Sequence, residues 1–130
     1  MFRVPGITRG GGRSERVAST VQILATLAEL CGLEVPPDLD GRSLVASLRN
    51  PQERVDSFAY AEISLNGPGF KQMLRRGDFK YCRNGGDMDQ LYDMHRDPRE
   101  MTNLALRGEH KGTVERLKAE MVSIYEPAKA

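Results

Sequence analysis

The 130-residue sequence predicts an α+β fold in which a small antiparallel sheet of about four strands is packed by a C-terminal helix and preceded by an apolar helix. Three observations predict it. Apolar residues recur at helical spacing near both ends, at Ile23, Leu27 and Leu30 and again at Val114, Leu117, Met121 and Ile124. Between them lie short β-prone runs rich in aromatic residues. Those runs are separated by the turn signals Asn66-Gly67-Pro68-Gly69, Gly77-Asp78 and Asn84-Gly85-Gly86.

Residues 1–16 scatter Arg3, Arg9, Arg13 and Arg16 around Gly6 and Gly10 to Gly12, a composition that favours loop or arm over any regular element. Ser19 followed by Gln22 reads as a capping box, with Ala18 and Ile23 as its staple, so a helix is predicted over Thr20 to Cys31. Val21, Leu24 and Ala28 widen its apolar surface beyond one stripe, so this helix wants cover on two sides. Gly32 and Pro36-Pro37 stop it. A turn-rich connection follows, with one short helical turn expected at Ser43 to Leu48.

Val55 to Leu65 reads as the first strand, and Phe70 to Arg76 with Phe79 to Arg83 as a hairpin about Gly77-Asp78. A last strand is expected around Leu91 to Met94, Asp97-Pro98 breaks the chain, and a helix from Thr113 to Tyr125 is capped by Thr113. Phe58, Tyr60, Phe79, Tyr81 and Leu91 are expected to meet the apolar face of that helix. Two regions result: an arm, helix and connection at 1–54, and the sheet with its helix at 55–130.

Charge is nearly balanced, Lys+Arg 19 against Asp+Glu 18, so no global field attracts nucleic acid or an anionic membrane. Lys71, Arg75, Arg76, Lys80 and Arg83 alternate with Phe70, Phe79 and Tyr81, and in strands the rings are expected to face the helix and the charges water, so no nucleic-acid platform is expected. No signal-peptide pattern opens the sequence, and no run approaches the roughly 20 apolar residues of a membrane span, which leaves the compartment undetermined. Cys31 and Cys82 have neither zinc-site nor redox spacing and are expected as buried free thiols. Asp87, Asp89 and Asp93 fail the EF-hand pattern, because Tyr92 and Pro98 stand where its Gly and Glu belong. His95 and His110 lack companions at ligand spacing and read as exposed loop histidines.

Three pieces in order resemble the C-terminal region of the sulfatase family, within the alkaline-phosphatase superfamily. They are the helix from Val21 through Pro37 with Leu39-Asp-Gly-Arg-Ser-Leu44, the hairpin Met73-Leu-Arg-Arg-Gly-Asp-Phe-Lys-Tyr81, and Leu91-Tyr-Asp-Met-His-Arg-Asp-Pro-Arg-Glu-Met-Thr-Asn-Leu104. Their joint order carries the resemblance, since each motif alone is a structural turn. It implies that the predicted sheet and helix are the sulfatase C-terminal subdomain, and that 1–54 is the end of the catalytic domain.

The resemblance also implies what to seek. Sulfatases use a Cys or Ser in a Cys-x-(Pro/Ala)-x-Arg setting, converted to formylglycine beside a calcium ion, but Cys31 is followed by Gly32-Leu33 and Cys82 by Arg83-Asn84-Gly85. No catalytic residue, no metal ligand and no cofactor is therefore assigned to this sequence; calcium and formylglycine are expected only in a complete sulfatase. Because the family's C-terminal subdomain borders the substrate cleft, Asn66 and Lys71 are the candidate substrate-binding residues. The expected partner is the N-terminal sulfatase domain, or a second copy through the Thr20 to Cys31 helix. The leading functional expectation is a sulfatase fragment that completes the fold and edges the cleft. The alternative is a stand-alone binding or assembly module derived from a sulfatase tail.

Overall fold

The computed structural model describes residues 2–52, 56–64 and 70–125. It divides into two compact units, 1–57 and 58–130, each described by itself.

In the first unit, residues 2–20 carry turns but no helix or strand. Helix α1 spans Gln22–Leu30 and α2 spans Val45–Arg49. Half of the expected capping box forms: Gln22 Oε1 accepts from the Ser19 N–H at 2.9 Å, while no side chain caps the first turn. Buried on α1 are Gln22, Ala25 and Thr26, while of the expected stripe Ile23 and Leu27 are exposed and Leu30 is half-buried.

The reason is close approach. A Cβ on Gly41 would strike the Val21 carbonyl, so the Asp40-Gly41-Arg42-Ser43-Leu44 segment lies directly against the start of α1. Thr26 Oγ1 joins the two, donating to the Gln22 carbonyl at 2.6 Å and accepting from the Leu44 N–H at 3.0 Å. Ala25 and Thr26 are small enough to leave room for such contact, and the bulky apolar residues turn outward. Leu24 is 60% exposed and Leu27 49%, and Val21 and Ile23 are exposed beside them.

The second unit is a four-stranded antiparallel sheet in the order β1-β2-β3-β4, with β1 at Phe58–Ser64, β2 at Phe70–Arg76, β3 at Phe79–Asn84 and β4 at Gln90–Asp93. A 3-10 turn, Gly108–His110, leads into helix α3 at Lys111–Tyr125, so Thr113 lies inside the helix rather than capping it. Gly77, at φ +56°, supplies the backbone conformation that a two-residue hairpin loop of the II′ kind needs at its first position.

The register places Tyr60, Leu74, Tyr81 and Leu91 in one cross-strand row. Leu74, Tyr81 and Leu91 are fully buried against Leu117 and Met121 of α3, with Tyr60, Phe79, Leu104, Ala105, Val114 and Ile124 packed around them. Phe58, expected in this core, is 43% exposed, because it pairs with Arg76 at the sheet's end. The Arg76 guanidinium lies over its ring at 5.7 Å and also pairs with Glu120 of α3 at 3.1 Å.

The outer edge of β4 is closed by a side chain acting as backbone. Asn103 Oδ1 accepts from the N–H groups of Leu91 (3.0 Å) and Ala105 (2.9 Å), and its Nδ2 donates to the Asp89 carbonyl at 3.1 Å. The Leu104 N–H then donates to the Leu91 carbonyl at 2.8 Å. The chain reaches this position through a reversal in which Asp97 Oδ2 accepts from the Thr102 N–H at 2.8 Å and Glu100 adopts φ +58°. A left-handed non-glycine residue costs roughly 1–2 kcal/mol, which the 2.7 Å pair between Glu100 and Lys80 of β3 helps to offset.

Candidate functional site

Of the two residues assigned to a substrate rim, Asn66 lies outside the described residues. Lys71 is exposed near the start of β2, opposite Ile63 of β1 and Asn84 of β3. Alternation puts Lys71 with Met73, Arg75, Lys80, Cys82 and Tyr92 on the sheet face away from Leu74.

The helix-side face at the same end of the sheet is polar. Gln72, 4% exposed, donates through Nε2 to the Tyr60 hydroxyl at 2.9 Å, and that hydroxyl donates to Glu62 Oε2 at 2.6 Å. Burial, with the Glu62 hydrogen bond, pushes the Tyr60 phenol up to about 12, so it remains a donor. Tyr81 likewise donates to Asp89 Oδ2 at 2.6 Å, and burial raises its pKa too. Arg83 lies over the Phe70 ring at 5.3 Å. The expected sorting of rings inward and charges outward therefore holds for Phe79, Tyr81, Lys71 and Lys80 but not for Arg76 and Arg83, which share a face with Phe58 and Phe70 and stack on them.

The acidic residues around β4 serve local turns. Asp87 accepts from the Met88 N–H, Asp89 from Tyr81, and Asp93 from the N–H groups of His95 and Arg96 at 3.0 Å. Among the described residues no group of three or more His, Cys, Asp or Glu is placed to hold a metal ion. His95 is exposed, but His110 is not a loop histidine: it ends the 3-10 turn and meets the Phe79 ring edge-on at 6.0 Å. Both cysteines are free, yet only Cys82 is partly buried, and burial raises its pKa; Cys31, at the exposed end of α1, is a correction to the buried thiol expected there.

The Arg96 and His95 N–H groups hold the Asp93 carboxyl below the ordinary value of 3.8. A depressed carboxyl stabilises the fold fully above its unfolded-state pKa and loses that contribution as pH falls through its folded-state value. Acid titration is therefore expected to loosen the β4 turn only below about pH 4, and Asp93→Asn should flatten that part of the stability profile. A titration followed by proton NMR of Met94 and His95 checks it.

These are turn-forming and packing motifs on a rigid sheet, and their order matches one family. The family described as "N-sulphoglucosamine sulphohydrolase, C-terminal" matches residues 1–126. The chain belongs to that sulfatase family. A choline-sulfatase of Rhizobium meliloti is 36% identical over 81% of this chain and 20% of its own length. Arylsulfatase K of Mus musculus is 33% identical over 68% of the chain and 18% of its own length. An ulvan-active sulfatase of Formosa agariphila is 25% identical over 93% and 31%. The chain thus spans between 18% and 31% of the length of these relatives.

Among solved structures, one protein in complex with its substrate D-glucosamine-2-N,6-O-disulfate superposes with a TM-score of 0.75 at 26% identity, over 98% of this chain and 27% of that one. A phosphonate monoester hydrolase from Silicibacter pomeroyi shares the fold at 22% identity, with a TM-score of 0.65 over 82% of this chain and 24% of its own. The α+β architecture is therefore that of the sulfatase C-terminal region. Sequence reasoning missed Asn103 as the residue that closes β4, although it stood in the quoted motif one place before Leu104.

Proposed function

We propose that this chain is the C-terminal part of a sulfuric ester hydrolase, which completes the fold and borders the substrate cleft but carries no catalytic residue. The observation that supports it best is the pairing of a family match over residues 1–126 with relatives several times longer. Neither cysteine stands in a Cys-x-(Pro/Ala)-x-Arg setting, so an activated nucleophile for sulfur is lacking from this sequence.

The partner in this reading is the N-terminal catalytic portion of a sulfatase. Val21, Leu24 and Leu27 present the exposed apolar face to which it would bind, because a helix with bulky residues turned outward gains most from cover. Lys71 serves as a cation at the rim, where an exposed ammonium attracts a sulfated ligand without being needed for bond cleavage.

The test is an aryl sulfate assay on the purified chain with calcium. The expected result is no rate above blank, and a calcium-dependent rate from this chain alone would refute the reading. Co-expression with a sulfatase catalytic portion should yield a complex that Leu24→Glu disrupts. Failure of any such portion to bind would favour the stand-alone module instead.

A further inference from the structure

The two edges of the sheet are treated differently. The β4 edge is closed by Asn103 and Leu104, whereas β1 is the other edge, and among the described residues its backbone pairs only with β2. Phe58–Ser64 runs for seven residues with no Pro or Lys, and Glu62 is the one charged side chain on it that guards the edge. Its middle is open, since Ala61, Glu62 and Ile63 are all exposed.

We infer that β1 is a seam for a second copy of this chain, paired antiparallel about a two-fold axis through Ala61, which would join two four-stranded sheets into one. The strand's own pattern selects this occupant and this register. With the axis at Ala61 all seven residues pair: Phe58 with the partner's Ser64, Ala59 with the partner's Ile63, Tyr60 with the partner's Glu62, and Ala61 with its own copy. The small residues meet at the centre, where opposed side chains lie closest. The only charge on the strand, Glu62, then faces the partner's Tyr60, whose hydroxyl already donates to Glu62 within one copy at 2.6 Å. Moving the axis to Glu62 sets two carboxylates opposite each other, and moving it to Tyr60 leaves Ile63 and Ser64 unpaired. Faces are conserved by the pairing, so both copies of α3 cover the same side of the joined sheet.

Sedimentation equilibrium of the full chain over a concentration series tests the seam. A monomer–dimer equilibrium is expected. Ala61→Lys and Ala61→Glu should each weaken it about tenfold or more by opposing like charges at the axis, and an equimolar mixture of the two should restore it. Leu24→Glu, on the exposed face of α1, should leave the equilibrium unchanged.

Cross-linking gives a readout that does not depend on those variants folding normally. In a background with Cys31→Ser and Cys82→Ser, Ala61→Cys should form an intermolecular disulfide on mild oxidation. Ile63→Cys should not, because the two copies of that position stand roughly 13 Å apart in this register. A chain that is monomeric at every concentration would overturn the inference. So would a dimer indifferent to charge at Ala61, one abolished by Leu24→Glu, or cross-linking at position 63 in preference to 61.

Discussion

Replacing Leu117 with Ala is expected to cost the second unit about 2–5 kcal/mol, the range for truncating a fully buried leucine that leaves a cavity. Leu117 is 0% exposed and packs with Leu74, Tyr81 and Leu91, residues from three strands that depend on α3 for cover. The same change at Leu24, 60% exposed, should cost far less, since little apolar surface returns to water. Urea unfolding followed by far-ultraviolet circular dichroism, which senses α1 as well as the sheet and α3, compares the two variants. Equal losses from Leu117→Ala and Leu24→Ala would contradict the assignment of the core to the sheet and α3.

Asn103→Ala should cost about 2–4 kcal/mol, although the side chain it removes is small and polar. It strips the acceptor from two N–H groups at once, and a buried donor left unsatisfied costs about 1–3 kcal/mol. The Leu91 N–H belongs to a fully buried residue and has no water to turn to. Asn103→Asp keeps the acceptor but sets a carboxylate oxygen against the Asp89 carbonyl in place of the amide donor, so it should recover only part of the loss. Hydrogen exchange at the Leu91 and Ala105 amides separates the two: rapid exchange in the alanine variant and protection in the aspartate variant are expected. Unchanged protection in the alanine variant would show that the β4 edge is held by Leu104 alone.

Much of the second unit was legible because its signals are local. The Phe70–Arg76 and Phe79–Asn84 hairpin follows from two β-prone runs about Gly77, and the α3 core positions follow from a period of 3.6. Thr113 misled because a preceding 3-10 turn starts the helix two residues before it, a geometry that capping preferences do not encode. The exposure of Phe58 depends on register: opposite Arg76 it becomes a platform for a guanidinium rather than part of the core.

By itself the sequence determined the α+β class, the hairpin, the leucine-bearing face of α3 and, through three motifs in order, the sulfatase resemblance that the family match bears out. Each of these rests on periodicity, on turn chemistry or on a run of neighbouring residues, which are properties of a chain read along its length. Only the tertiary structure decided which side of α1 is buried. Hydrophobicity favours Ile23, Leu27 and Leu30, but the backbone at Gly41 lies against the Val21 carbonyl, Ala25 and Thr26 are small enough to leave room for it, and with Gln22 they face inward. It alone also decided that Asn103 would close the sheet, because a side chain can replace a strand only where distant segments bring its amide level with Leu91 and Asp89.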